Sequence, residues 1–377
     1  MKLIEVLPFV PLPTRIPLAA RCLAVSLSLA LLVPQQSSAQ GCVAARGSGA
    51  TSCLMGGHDM MADGATDAKW QASVGYRWLH SDRHFTGSHE ETQRQAEGSE
   101  VINDSHFIDV GISYRINPRF SVSAALPIVV NDRSQVVRNT ARAILGRFHT
   151  QSSGIGDARL MANAWIWNPE THRKGNLNLG MGVLLPTGEK DATDIFQVFR
   201  AGQVVSEERT VDQSIQPGSG GWGIILDLYG YQEIMPRLNA YVNGSYTITP
   251  EEQNGVRTFR NGAGEGIMSI ADGYMGRTGF DFLVAPKYGV TLSLGGRIEG
   301  VPVHDAIGGS TGFRRPGFAV SIEPGVSVAV KSWSFNLSTP VAVYRNRQRS
   351  VPDQARGAHG DAAFADYTVQ FSVAKRF

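Results

Sequence analysis

The chain has 377 residues, of which 18% are charged and 42% hydrophobic, with 42 glycines. A soluble chain of this size usually carries about a quarter charged residues. The formal net charge of +2 gives no electrostatic basis for a nucleic-acid partner, and no stretch beyond the first forty residues approaches the roughly 18 apolar residues of a spanning helix.

The beginning has the order of a secretory leader. Lys2, Arg15 and Arg21 precede or flank the apolar run "CLAVSLSLALLV" at 22–33, and the small residues Ser37-Ser38-Ala39 follow. A run of this length is too short to span hydrocarbon as a helix, so the expectation is a signal peptide over 1–39, cleaved after Ala39. It holds three basic residues and one acidic, so the totals of 35 and 33 leave 32 of each in the remainder, which is neutral. Cys42 and Cys53 stay behind, and in an exported chain the default for two such cysteines is a disulfide. Residues 40–68 are therefore expected to form a disulfide-tied periplasmic segment. Cys53, Met55, His58, Met60 and Met61 are soft donors suited to copper(I), but a thiolate site needs free thiols, which an oxidising compartment disfavours. No metal and no cofactor is expected.

From Trp70 onward apolar and polar residues alternate, the pattern of a strand with one face of each kind. Trp70, Ala72, Val74, Tyr76 and Trp78 form the first such face, and Ile108–Ile116 and Phe120–Val130 the next two on alternate residues. Further strands are expected around 158–166, 177–185, 222–228, 238–246, 280–284, 292–298, 318–330 and 333–343. The chain ends on a twelfth, "DYTVQFSVAKRF", with Tyr367, Val369, Phe371, Val373 and Phe377 on one parity. Connections alternate in length. The short ones are 117–119, 168–175, 233–237, 286–289 and 331–332; the long ones are about 80–105, 131–154, 186–220, 248–276, 302–316 and 345–363. Twelve even antiparallel strands with every long loop on one side match an outer-membrane β-barrel better than a soluble sandwich. The expected fold is all-β: a single transmembrane antiparallel barrel over 69–377, with both termini on the periplasmic, short-turn side. Aromatic girdles are expected at Trp70, Phe120, Trp333 and Phe377 on one rim and at Trp78, Trp222, Tyr246 and Phe318 on the other. The partners this implies are outer-membrane lipids around a monomer.

The opposite parity faces inward. It carries Arg77, Asp109, Arg115, Asp157, Arg159, Asp227, Asp281, Arg297, Glu299, Glu323 and Arg376. Charges inside a barrel must be hydrated or paired. That leaves two readings, a water-filled path with these residues lining it and a plugged lumen in which they neutralise one another. An outer-membrane lipid hydrolase is a third and weaker one. His80, His84, His89, His149, His172, His304 and His359 fall in expected loops or turns, and no outward serine is plainly placed to face His106.

Two stretches, "GIGDARL" at 154–160 and "LGMGVLLPTGE" at 179–189, resemble the outer-membrane transporter family annotated after the meta-cleavage pathway of phenol degradation, and 312–330 is compatible with it. The matching positions are Gly154, Gly156, Asp157, Pro186, Thr187 and Gly188. The resemblance implies a barrel passing small, often aromatic, solutes and supplies no catalytic residues. The final Phe377 also resembles the signal by which barrel-assembly machinery takes up such chains.

Overall fold

A computed structural model describes residues 68–260 and 262–377. The expected leader, the Cys42–Cys53 pair and the soft donors Met55, His58, Met60 and Met61 lie outside the described residues.

The wall is a single 14-stranded antiparallel sheet closed on itself. Its segments are β1 (Trp70–Ser81), β2 (Ile102–Arg115), β3 (Phe120–Arg138), β4 (Ile144–Ile155), β5 (Ala158–Trp165), β6 (Gly175–Leu185) and β7 (Gly223–Met235). They continue with β8 (Leu238–Ile248), β9 (Gly273–Ala285), β10 (Val290–Val301), β11 (Gly317–Val330), β12 (Trp333–Ser338), β13 (Val341–Arg347) and β14 (Thr368–Arg376). β4 with β5, and β12 with β13, each make one interrupted stave, so the barrel has 12 staves, the number the alternation predicts. β14 closes on β1, with Val74 opposite Val373 and Tyr76 opposite Phe371. Trp70 and Phe377 exchange backbone hydrogen bonds of 3.0 and 2.9 Å. Closure removes the sheet edge that hydrocarbon would not tolerate.

The two faces are chemically opposed. Outward residues such as Val110, Met181 and Leu294 are 45%, 65% and 58% exposed, while inward Ser73, Arg77, Asp109 and Arg297 are buried. An apolar band that continuous is far larger than a water-soluble monomer shows. Lipid is the solvent it fits, as in outer-membrane barrels.

Both interruptions lie opposite a proline, which has no amide to give the ladder. β3 pairs with β5 up to Ala125 and with β4 from Ile128 onward. Between them the Pro127 carbonyl accepts from Gly156 N at 2.7 Å, so the missing N–H of Pro127 faces the break at Gly156–Asp157. In β11, Pro324 O accepts from Thr339 N at 3.1 Å, and the neighbouring stave breaks at Thr339–Pro340. Alternation alone reads straight through Pro127, because its neighbours keep parity.

The long connections are more ordered than their composition suggests. Residues 131–154, expected as a loop, are mostly the continuation of β3 and β4 as a paired ribbon to Arg138 and Ile144. His149 therefore sits on a strand, as does His80 at the end of β1. The connection from 186 to 222 contains a hairpin of Thr193–Arg200 and Gln203–Thr210.

At the other end the turns are tight. Arg237 and Lys331 take positive φ of 73° and 56° in two-residue turns, a region side chains enter at some cost. Gly289 has φ of 61°, and a Cβ there would meet the Ala329 carbonyl oxygen. Lys331→Gly is accordingly expected to hold or raise the urea midpoint of the folded barrel in lipid vesicles. Gly289→Ala should lower it, by about 1 kcal/mol or more in equilibrium unfolding. Equal midpoints for the two variants would contradict this account of the turns.

Candidate functional site

Inside the wall, ionisable groups meet at one level. Arg277 on β9 and Arg297 on β10 are directly opposite each other, a repulsive pairing by itself. Glu323 on β11 relieves it: its carboxylate accepts from Arg277 at 3.1 Å and lies 3.6 Å from Arg297. Glu299 accepts a hydrogen bond from Arg297 Nη2, at 2.7 Å. Across the lumen the Arg77 guanidinium lies 4.3 Å from the Phe107 ring centre, and Arg77 interacts with Asp109 and Glu299. Arg159 interacts with Asp109, Asp227 and Asp157. Buried arginines of this kind are tolerated only with opposite charge beside them.

The structure thus gathers Arg77, Asp109, Arg159, Asp227, Arg297, Glu299 and Glu323 into one buried belt. Asp281, also buried, lies opposite Asn239. Arg115 and Arg376 lie at the short-turn ends of their strands, only partly buried, away from the belt. Arg277 belongs to the belt but was missed by the alternation reading, which began that strand at Phe280; its parity with Asp281 carries the signal. Trp165, Tyr229 and Tyr231 were missed too. Trp165 meets both tyrosines edge-on at 6.0 Å, beside the buried Asn163, Asn176 and Asn178. Inward aromatics cannot be told from girdle residues by composition.

Asp157 has a different position from its neighbours. Its Oδ1 accepts from Gly188 N at 3.1 Å, and its Oδ2 accepts from both Ser219 N and Ser219 Oγ at 2.7 Å. Thr187 Oγ1 donates to Gly156 O at 2.7 Å and accepts from Ala158 N at 2.9 Å. Gly188 and Gly218 touch through their backbones, and a Cβ on either would collide with the other. Residues of both short motifs therefore meet at the break in the wall and tie it to the descending loop. Gly154 lies on β4 just before the break, opposite Val129, and Pro186 begins the turn after β6.

That loop packs against the inner wall and caps part of the lumen. Val211 and Ile215 are fully buried. The Ile215 carbonyl accepts from Asn131 Nδ2 at 3.1 Å and from Ser152 Oγ, both on the inner wall. Asp212 receives two hydrogen bonds of 2.8 Å from Arg315 and lies 3.5 Å from Arg133. The Arg315 guanidinium stacks 4.6 Å from the Phe313 ring centre, and Arg314 grips Asp305 at 2.6 and 2.7 Å. Burial opposes ionisation of Asp212, but the Arg133 and Arg315 charges outweigh it and hold the carboxyl well below the usual range. On the long connections, burial likewise opposes ionisation of Asp361, and the hydrogen bond and charge of His84, with Arg94, outweigh it. No sequence pattern links residues this far apart.

Between belt and cap lies a cavity of ≈ 160 Å³. Arg77, Asp109 and Arg159 form its floor, Phe107, Leu184 and Val301 are among its walls, and Ile270 and Arg315 belong to its roof. On the outer face, His106 is hydrogen-bonded to the Tyr76 hydroxyl at 2.8 Å, with His80 on Asp104 and His149 on Asp132.

With this geometry the chain can be set against known proteins. An outer membrane channel from Pseudomonas putida F1 superposes with a TM-score of 0.52 at 11% identity, over 82% of this chain and 96% of that one. The shared fold is the outer-membrane barrel. The Pseudomonas putida toluene transporter TodX gives a TM-score of 0.45 at 10% identity, over 91% and 100%. The translocator domain of autotransporter NalP from Neisseria meningitidis gives 0.43 at 11%, over 86% and 94%. These last two superpose too loosely to bear on function. No protein-family model matches the chain, and no curated protein matches it.

The cap has a testable pH response. A carboxyl whose folded pKa is depressed contributes stability that is present above the unfolded value of about 4 and is lost as pH falls through the folded one. Asp212 and Asp361 are both of this kind. Protease resistance of residues 203–210 in the folded barrel should be flat from pH 8 to about 5 and fall only below about 4. In Asp212→Asn it should already be reduced at pH 7. A loss centred near pH 6 would point to the histidines instead.

Proposed function

We propose that this protein is an outer-membrane channel for small solutes, shut in this structure by its own loops. The observation that carries the reading is the cavity held between a charged belt and a loop cap, inside a closed barrel with a lipid-suited exterior. The fold shared with an outer membrane channel supports it. In this reading the long loops face outward and both termini face the periplasm. The Cys42–Cys53 disulfide closes the periplasmic segment, and the strand ending at Phe377 is what the assembly machinery engages. The protein acts as a monomer. Arg77, Asp109, Arg159 and Glu323 narrow the path, whereas Asp157 fastens the wall. Aromatic or other hydrophobic solutes are the class that the resemblance to the phenol-pathway transporters suggests.

A sealed scaffold is the second reading, favoured by how completely Glu323 and Glu299 neutralise Arg297. Planar-bilayer conductance of the purified protein separates the two. The wild type should conduct in brief openings, and Asp212→Asn should open more often because the cap loses its anchor. Arg159→Gln should shift ion selectivity toward cations. Silence of all three proteins, with no solute flux into liposomes, would establish the scaffold. Release of fatty acid from the liposomes would revive the lipid-hydrolase reading.

A further inference from the structure

The short-turn rim of the barrel carries an uneven charge. Lys69, Arg119, Lys287, Lys331 and Lys375 stand on it, all exposed. They follow one another round the sheet, at the turn between β9 and β10, the turn between β11 and β12, the junction of β14 with β1, and the turn between β2 and β3. None of the five makes an ion pair among the described residues. No acidic side chain stands in this arc among the described residues, and the terminal carboxylate of Phe377 is the one opposing group. Arg115 and Arg376 lie in the same arc with partners of their own. The other arc is closer to balance. Arg173, Lys174 and Arg237 stand there with Glu170 and Glu233, and Lys174 lies 3.7 Å from Glu233.

The unpaired cations are set among outward aromatic rings. Trp333 is directly opposite Lys375, whose ammonium lies 5.1 Å from the Trp333 ring centre. Trp333 stacks with Phe335 at 6.2 Å, and Trp70 meets Tyr114 at 4.7 Å. The Lys287 ammonium is 5.7 Å from the Tyr288 ring centre, and the Arg119 guanidinium 5.7 Å from that of Phe120. Tryptophan and tyrosine settle at the head-group level of a bilayer. Lysine stems lie along apolar surface with the charge in the polar layer. A ring beneath a cation positions it and leaves its charge in place. Lys331 adds a separate sign, because it holds its side chain at positive φ, where glycine fits without strain.

We propose that this arc is a docking surface for anionic phospholipid head groups, with a lipid phosphate at Lys375 beside Trp333 and the acyl chains over the exposed Phe335, Leu337 and Phe371. A zwitterionic lipid brings its own ammonium to the arc and gains little from it. An anionic one gains roughly fivefold for each basic residue it meets. The turn at Lys331 has only two residues and does not project beyond the head-group layer, which favours lipid over a soluble acidic protein. The inference rests on the barrel's place in a membrane and not on conduction. In the orientation proposed above, the short turns meet the leaflet built of phospholipid.

The test uses the full protein refolded in phosphatidylcholine vesicles, with its tryptophan fluorescence quenched by brominated phosphatidylglycerol or brominated phosphatidylcholine. Both leaflets then hold the same lipids, so neither orientation nor solute passage enters the result. At low salt the anionic lipid should be preferred at the protein surface by about fivefold or more, and about 0.5 M salt should remove most of the preference. Lys287→Gln, Lys331→Gln and Lys375→Gln together should bring the ratio close to one. Arg173→Gln with Lys174→Gln, in the other arc, should leave it unchanged. Heat-modifiable gel migration shows whether each variant is folded; if the triple variant is not, Lys375→Gln alone takes its place and should reduce the preference by about half or more. Equal quenching of the wild type by the two lipids would overturn the assignment. So would a preference that survives in the folded triple variant, or one that is lost with Arg173 and Lys174.

Discussion

An amide left without a partner in hydrocarbon costs several kcal/mol, so a membrane wall must pair every backbone group or hide the exceptions. Pro127 and Pro324 are the two exceptions that shape this barrel. Each has its carbonyl bonded toward a broken stave, to Gly156 and Thr339, and each forces the neighbouring strand to stop and restart. The first break is closed from inside by groups that belong to neither strand. Asp157 turns its carboxylate to Gly188 and Ser219, and Thr187 joins Gly156 to Ala158. The loop that provides Ser219 is thereby fixed at one end, and the rest of it has only one direction to go, into the mouth.

Once inside, the loop meets a wall rich in arginine. Arg133 comes from β3 and Arg315 from the residues just before β11, and both converge on Asp212. Removing one partner of a buried pair typically costs about 3–5 kcal/mol, because the remaining charge has nowhere to go. The cap is thus held by these ion pairs together with an apolar cluster of Ala192, Phe196, Val211 and Ile215, against which Phe148 and Val198 pack. Ile215 and Val211 are its only fully buried aliphatic residues between 211 and 219 among the described residues.

How much of this was legible in the sequence depends on the range of each interaction. Strand number and facing depend on residues two apart, so the alternation of Trp70 to Trp78 or Tyr367 to Phe377 located all twelve staves. Inward charge was legible for the same reason, and Arg77, Asp109, Arg159, Arg297 and Glu323 do face the interior. What they touch was not legible. Glu323 bridging Arg277 and Arg297 is a three-strand relation, and Arg315 on Asp212 joins residues 103 apart. The breaks at Gly156 and Thr339 were marked by Pro127 and Pro324, yet the alternating pattern around each proline is unbroken and conceals them. Extended hairpins were misread as loops because, above the apolar band, a strand no longer needs an apolar face.

The glycines and aspartate of the two short motifs acquire a mechanical meaning here. Gly188 and Gly218 approach so closely that neither can carry a side chain, and that approach is what brings Ser219 within 2.7 Å of Asp157. Asp157 accepts from backbone and hydroxyl donors at the rim of the cavity, while Arg159, two residues along the same chain, faces the floor and interacts with Asp109, Asp227 and Asp157 itself. One short segment thus fastens the wall with its acid and sets its base into the buried belt. A substitution at Asp157 removes the acceptor that holds Gly188 and Ser219, and one at Arg159 removes the positive charge shared by Asp109, Asp227 and Asp157, although the two residues are only two apart in the chain.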